Sequence, residues 1–361
     1  DMALSKVNPN LITQGPSGRK NLIINGAMQV AQRGIESTNT NGGYKTMDRW
    51  NMFDNLGKIN HYQSTEGPAG FNNSYKWVVH TTATAGTSSI VAPNQSIEGF
   101  NSAHLEWGTS DAKSVTVSFW CKTSVTGSYG LWIRNGAANR YYNTMCTISN
   151  ANTWTYITKT IPGDTSGTWI GATNGNGLTV GICLDAGSGV QGTADQWSGN
   201  TTYSTTANAA WQASSGATFF LTGFQLELGS VATDFEHRSY GEELHLCQRY
   251  YENIAKPTDA DDSPYFGIGH GVKSDQINWF YDFKAEKRAP ITLIVNTVTN
   301  GYYGKNHSTE KNKETLGITM GHQSLHSIMG YMTGITGVTE QSAYTMQCNG
   351  AGCLIAASAE L

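Results

Sequence analysis

The sequence has little charge and no long apolar run. Asp, Glu, Lys and Arg make up 14% of its 361 residues, and the net charge is −4. Because no Lys/Arg cluster stands out, the sequence lacks the phosphate-neutralising surface of a nucleic-acid-binding protein, and we expect no nucleic-acid partner. Apolar runs such as 291–295 are far shorter than a bilayer crossing, and the first four residues lack the basic start and apolar core of a signal peptide. These absences predict a soluble chain without membrane insertion.

The sequence also lacks the motifs of common catalytic and cofactor sites. It contains no Gly-X-Ser-X-Gly elbow, no phosphate-cradling loop with Lys-Ser/Thr, and no His-Glu-X-X-His pair. Glycan hydrolysis normally requires two carboxylates at a defined separation, and the only acids between residues 113 and 225 are Asp164, Asp185 and Asp195. We therefore predict that the chain is not an enzyme and that it has no cofactor and no metal site.

The composition is that of an all-β protein. Glycine occurs 41 times, aromatic residues reach 11%, and Ser, Thr and Asn fill the stretches between apolar runs. Short strands need many turns, and aromatic side chains suit a half-buried pleated surface. A chain of this length exceeds what one core usually serves, so two modules are expected. The six cysteines are scattered along the chain, which favours free buried thiols.

Alternating apolar and polar residues predict the strands. Val115, Val117, Phe119 and Cys121 alternate with polar or bulky residues, which is the period-two pattern of a strand with one face in a core. In a second strand, 129–134, Leu131 and Ile133 lie on one face while Trp132 and Arg134 lie on the other. Further strands are predicted at 153–161, 178–184, 218–228, 265–270, 276–283, 291–298, 315–320 and 344–357. Short strands at such regular spacing are typical of a jelly roll or β-sandwich.

One segment departs from the β pattern. From Ser239 to Ile254 apolar residues recur at three- and four-residue steps, Ser239 and Glu242 form a capping-box pattern, and Pro257 follows. We predict an N-terminal connector at 1–20, a jelly roll at 21–237, a linking helix at 238–256 and a smaller C-terminal β-sandwich domain at 257–361. A chain that starts at an aspartate is also expected to be a fragment.

Twelve short segments between residues 18 and 251 form an ordered pattern. They are GRKNLIINGAM (18–28), QRG (32–34), DRW (48–50), SFW (118–120), NTW (152–154), IPGDTSGTW (161–169), GFQLELG (223–229), AT (232–233), FE (235–236), RS (238–239), GEEL (241–244) and LCQRYY (246–251). Together they resemble a module of bacteriophage tail fibre proteins, including those of marine and cyanobacterial phages. The resemblance implies a carbohydrate-binding-module-like jelly roll, often carried on trimeric fibres whose distal parts touch the cell surface.

A glycan-binding face needs aromatic rings that stack on sugars, with amide, hydroxyl or guanidinium groups that bind the sugar hydroxyls. Some candidates are aromatic or basic residues on the strand face opposite the apolar one. The others are aromatic residues in a polar segment between strands. The candidates are Trp120, Trp132, Arg134, Trp197, Tyr203 and Trp211. Each could instead belong to a core or a subunit interface, and Trp154 and Trp169, which lie in the resembling segments, are assigned to the framework.

The sequence therefore predicts a structural subunit of a phage tail fibre that binds host cell-surface polysaccharide during attachment. We expect a homotrimer that is assembled in the host cytoplasm, resides in the virion, and joins other tail or virion proteins through its N-terminal segment. Two alternatives remain: a purely architectural spike or head fibre without a ligand, and a glycan depolymerase.

Overall fold

The computed structural model describes residues 19–257, 263–296, 301–306, 310–313, 318–335, 337–348 and 352–361, with side chains not described at 310–313. The chain divides into two compact units, unit 1 (Asp1–Glu243 with Leu361) and unit 2 (Leu244–Glu360). Residues 1–18 of the predicted connector lie outside the described residues.

The regular secondary structure of unit 1 is almost wholly β-strand, as predicted. The strands are β1 (Glu36–Thr40), β2 (Gly43–Tyr44), β3 (Asn51–Asp54), β4 (Lys58–Ser64), β5 (Ser74–Thr81), β6 (Ile90–Glu98), β7 (Val115–Thr123), β8 (Gly127–Asn135), β9 (Tyr141–Ile148), β10 (Thr155–Ile161), β11 (Asn176–Cys183), β12 (Asp185–Ala186), β13 (Gln196–Ser198) and β14 (Thr218–Leu228). A four-residue helix, α1 (Gly99–Ser102), follows β6. Single 3₁₀ turns lie at Ala103–Leu105, Ser188–Val190 and Trp211–Ala213.

Two antiparallel sheets form the jelly-roll sandwich of unit 1. Sheet A has the order β1-β4-β5-β14-β7-β10, and sheet B has the order β13-β9-β8-β11-β6-β3-β2, with β12 paired to β6. The predicted inward face of β7 is confirmed, because Val115, Val117, Phe119 and Cys121 are all buried in the core. Alternation along each strand therefore leaves the even-numbered residues of β7 on the outward face of sheet A.

The predicted linking helix is shorter than expected. Helix α2 (Tyr240–Gln248) ends before the predicted boundary, and the chain returns to a strand, β15 (Tyr251–Ala255). The capping box at its start is confirmed, since the Ser239 amide donates to Glu242 Oε2 at 3.0 Å and the Glu242 amide donates to Ser239 Oγ at 3.3 Å. The helix stops because pairing with another strand satisfies the backbone of β15. The apolar residues that suggested a last helical turn belong to that strand.

Unit 2 is a second all-β module with its own core. Its strands after β15 are β16 (Tyr265–Lys273), β17 (Gln276–Asp282), β18 (Thr292–Val295), β19 (Tyr302–Lys305), β20 (Glu310–Lys313), β21 (Ile318–Gln323), β22 (Ser327–Thr333), β23 (Ala343–Cys348) and β24 (Ile355–Ser358). They form a three-stranded sheet, β15-β24-β18, and a seven-stranded sheet, β20-β19-β23-β16-β17-β22-β21. Apolar residues of both sheets, including Ile355 and Trp279, share one buried cluster.

No helix among the described residues has both the length and the apolar character that a membrane crossing requires. Within the same ranges, no three His, Cys, Asp or Glu side chains are grouped closely enough to hold a metal ion. The predicted burial of the cysteines is confirmed for all six.

Candidate functional site

An aromatic pair projects from the outward face of sheet A. Trp120 on β7 and Tyr156 on β10 are direct cross-strand partners, so both side chains leave the sheet on the same side. Their ring centroids lie 5.1 Å apart at an angle of 45°. Tyr156 keeps 44% of its surface exposed, and Trp120 is half-buried. This pair presents aromatic surface to solvent on a rigid strand framework.

A cleft of about 430 Å³ opens beside this pair. We call it the aromatic cleft and define it by its twelve lining residues. They are Ala69, Gly70, Phe71, Ser118, Trp120, Tyr156, Gly223, Ala232, Thr233, Asp234, Phe235 and His237. Sheet A supplies the floor, and two loop segments supply the remaining walls. The cleft therefore combines aromatic rings with hydroxyl, carboxylate and imidazole groups.

Three rings from different parts of the sequence pack together in the cleft. The Phe71 centroid lies 5.0 Å from that of Phe235 and 5.2 Å from that of His237, and Phe235 and His237 are 4.9 Å apart. Phe71 can lie on the sheet because β14 has a glycine beneath it. A Cβ on Gly223 would come within 2.6 Å of Phe71 Cζ, and the φ of +61° at this position favours glycine.

Two buried side chains of β14 hold the loop that carries Phe235. Glu227 accepts hydrogen bonds from the Thr233 amide at 2.9 Å and from the Thr233 hydroxyl at 2.6 Å. Gln225 accepts a hydrogen bond from the Glu236 amide at 2.9 Å. Both β14 side chains are fully buried, so their bonds are shielded from competition by water. The cleft wall is therefore positioned by the sheet.

The chemistry of the aromatic cleft suits binding more than hydrolysis. Ring faces can stack on the apolar faces of a sugar, while hydroxyl, imidazole and carboxylate groups can exchange hydrogen bonds with its hydroxyls. Asp234, which is exposed, is the single carboxylate among the twelve lining residues. A second carboxylate at hydrolytic separation does not line this cleft.

Only one of the residues predicted from sequence lines the aromatic cleft. Trp120 does so, whereas Trp132 and Trp211 are fully buried and Tyr203 is nearly so, which makes these three predictions wrong for a surface site. Trp132 does leave sheet B on its outward face, as predicted. It is covered there by Tyr203, at 4.7 Å between ring centroids, and by Phe53, at 5.9 Å. Trp211 belongs to the core between the two sheets.

The other two predicted residues lie elsewhere and are half-buried. Arg134 stacks over Phe53, with its guanidinium carbon 5.2 Å from the ring centre. Trp197 donates its indole N–H to the Pro162 carbonyl at 2.8 Å and packs between Trp107 and Trp169. The structure does not bring either residue to the aromatic cleft.

Sequence reasoning missed four aromatic or imidazole residues of the cleft. Tyr156 had a detectable signal, because it alternates with the inward-facing Ile157 on β10. Phe71, Phe235 and His237 lie in loops without periodicity, so their convergence depends on the tertiary fold. Trp154, which was assigned to the framework, is half-buried at the outward face of sheet A, beside Phe220.

No protein-family model matches the sequence, and no curated protein shows significant similarity to it. Among solved structures, one similar fold is the carbohydrate-binding module TmCBM61 in complex with beta-1,4-galactotriose, at 9% identity over 58% of this chain and 100% of that chain, with a TM-score of 0.30. A putative sugar-binding protein from Bacteroides thetaiotaomicron covers 58% of this chain and 100% of its own, at 10% identity and a TM-score of 0.32. The enzymatically active domain of tailspike protein 4 from bacteriophage CBA120 is similar over 58% of this chain and 21% of its own, at 10% identity and a TM-score of 0.32. At these identities and TM-scores the similarity concerns the fold and does not define the function.

Proposed function

We propose that the chain is a glycan-binding subunit of a bacteriophage tail fibre and that the aromatic cleft of unit 1 binds host cell-surface polysaccharide. The observation that carries the proposal is the cleft of about 430 Å³, which is lined by Trp120 and Tyr156 together with Phe71, Phe235 and His237. Homotrimeric assembly, attachment to other virion proteins through the N-terminal segment, and residence in the virion belong to the same proposal.

Two features of the molecule support this role. The cleft is built on strands and on a loop held by buried hydrogen bonds, which keeps its aromatic rings preorganised. Segments 18–28, 161–169 and 223–229 also carry the resemblance to tail fibre modules. One of these segments, 223–229, belongs to the site and its scaffold, since Gly223 lines the cleft and Gln225 and Glu227 anchor its loop.

The two alternatives make different demands on the same surface. An architectural fibre without a ligand would need the cleft only as a packing surface, and loss of its aromatic rings would leave cell binding unchanged. A depolymerase would need a second carboxylate near Asp234, which the lining of the aromatic cleft does not contain.

Replacement of Trp120 by alanine tests the proposal. We expect Trp120→Ala and Tyr156→Ala each to weaken binding to host cells by about tenfold or more, because each removes a stacking surface. Binding of labelled protein to intact cells, with and without prior periodate oxidation of their surface sugars, measures the effect. Oxidation of the cells should abolish binding of the unmodified protein.

A matched control separates loss of the site from loss of any exposed ring. Phe100 is 53% exposed in unit 1 and does not line the cleft, so Phe100→Ala should bind as the unmodified protein does. Thermal melting of all three variants checks that each is folded. Cell binding that persists in both folded cleft variants would remove the cleft as the receptor site.

A further inference from the structure

The outward face of sheet A carries a positively charged side chain, Lys76, beyond the aromatic cleft. Lys76 on β5 is half-buried, and its ammonium lies 5.3 Å from the ring centre of Phe220 and 5.8 Å from that of Tyr62. Among the described residues, its side chain forms no hydrogen bond and no ion pair. Two aromatic rings hold the Lys76 ammonium in place. Pairing with an anion of a ligand therefore costs less side-chain entropy than it would for a freely moving lysine.

A second lysine lies in the same row across the sheet. Lys122 on β7 is also paired with Phe220 on β14, and its ammonium lies 4.2 Å from that ring centre and 5.6 Å from the ring centre of Trp154. Unlike Lys76, it forms an ion pair with Glu66. Lys76 is therefore the cation of this row that a ligand could pair with directly.

The row of lysines adjoins the aromatic cleft. Lys122 follows Trp120 by two residues on β7, so both side chains leave the same face about 6.7 Å apart along the strand. Lys76 lies two strands from Lys122, because β14 lies between β5 and β7. The backbones of Trp120 and Lys76 are thus about 12 Å apart, which a short oligosaccharide can span.

We propose that the glycan bound in the aromatic cleft is acidic and that one of its carboxylate or sulfate groups pairs with Lys76, an inference that rests on the proposed glycan-binding function. Trp120 and Tyr156 stack on one sugar ring, and the chain of the ligand crosses sheet A towards β5. An ammonium that forms no ion pair within the described part of the chain, held beside aromatic rings next to a cleft, is suited to a negatively charged unit of the ligand.

The carboxylates near this surface fix the direction of the ligand. Asp234 lines the cleft and repels a charged sugar there. Glu66 is 52% exposed and neutralises Lys122. The acidic unit therefore lies over Lys76, while a neutral unit occupies the aromatic cleft.

An array of oligosaccharides in matched neutral, carboxylated and sulfated forms tests the inference on the full chain. The unmodified protein should bind an acidic form more tightly than its neutral partner, and the carboxylated and sulfated arms show which anion Lys76 accepts. Lys76→Gln should reduce the preference about two- to fivefold, the range of an exposed ion pair, without changing the affinity for the neutral form. Glu66→Gln, which frees Lys122, should raise the affinity for the acidic form by a similar factor.

Control variants distinguish the two proposals. Lys273→Gln removes an exposed lysine in unit 2 and should leave the preference unchanged. Equal affinity for the neutral and acidic forms, with binding still weakened by Trp120→Ala, would show that the ligand is not selected for its charge and would leave the proposed glycan-binding site intact. A preference for the acidic form that Lys76→Gln leaves unchanged would also overturn the acidic-ligand proposal. Binding to no member of the array would overturn both proposals.

Discussion

His61 is a titratable side chain sealed in the core of unit 1. It is fully buried on β4, and its Nδ1 lies 2.9 Å from the Tyr75 hydroxyl. Its Nε2 is buried without a hydrogen-bond partner among the described residues. Burial, with a smaller effect from Lys45, lowers the pKa of His61 from 6.5 to about 3. The native protein therefore keeps this imidazole neutral in mildly acidic solution.

This burial predicts a specific loss of stability in acid. Below pH 6.5 the unfolded chain protonates His61 while the folded protein does not, so the free energy of unfolding falls as the pH falls towards about 3. The contribution of His61 should amount to about 2 kcal/mol between pH 7 and pH 5. Urea unfolding at the two pH values measures it.

Other groups titrate in this range as well, so the comparison is made with His61→Gln. The variant should lose less stability than the unmodified protein on acidification, by the amount that His61 contributes. Identical pH dependence of the two proteins would show that His61 is already protonated, or solvated, in the folded state.

At the scale of single elements, β14 connects the fold of unit 1 to its cleft. Its inward residues contribute to the core, and its outward Gln225 and Glu227 hold the loop of the cleft. The strand has a register irregularity between Thr222 and Gln225, at the position of Gly223. This bulge lets the backbone adopt a positive φ and leaves room for the Phe71 ring.

Gly223→Ala should therefore damage the cleft more than the fold. The added Cβ would displace Phe71 and impose a left-handed backbone strain of about 1–2 kcal/mol. We expect glycan binding to fall several-fold, about the effect of losing one cleft wall, while the protein stays folded. A binding titration together with a denaturant melt measures the two effects separately.

Gly216→Ala is the matched control for backbone strain. Gly216 also has a positive φ, +67°, but a Cβ there would meet nothing within 4 Å. This variant should lose similar stability and keep its binding affinity. Equal binding by the two alanine variants would show that Phe71 does not help to form the ligand site.

At the scale of the whole molecule, each unit has its own core. A buried ion pair characterises unit 2, where Lys287 Nζ and Glu252 Oε2 lie 2.5 Å apart and both side chains are fully buried. Glu252 also accepts a hydrogen bond from the Tyr281 hydroxyl at 2.7 Å. Burial lowers the pKa of Lys287, although the charge of Glu252 opposes this shift.

Two cores predict two unfolding transitions in calorimetry. Glu252→Gln leaves the Lys287 ammonium without its buried counter-charge, so it should lower the stability of unit 2 by about 3 kcal/mol. The transition of unit 1 should stay in place. Glu286→Gln, which neutralises an exposed carboxylate of unit 2, should move neither transition. A Glu252→Gln variant that shifts both transitions together would show that the two units unfold as one.

The sequence by itself determined the all-β class and several of the strands from residue 115 onward, but not β1 to β6 or β9. Alternation on β7 predicted which of its residues enter the core, and the limits of β14 were predicted to the residue. These features are local, since a strand's two faces depend on neighbouring side chains only. The end of α2 was less predictable, because pairing with the distant β24 decides that Tyr251–Ala255 is a strand.

Only the tertiary structure decided which outward-facing aromatic rings reach solvent. Trp120 and Trp132 both occupy the outward face of a strand, yet Tyr203 and Phe53 cover Trp132 while a cleft opens beside Trp120. Periodicity assigns a face, but it carries no information on what a remote loop places over that face. The convergence of Phe71 and Phe235 over Gly223 likewise depends on contacts between segments far apart in the chain, which the packing of the whole unit selects.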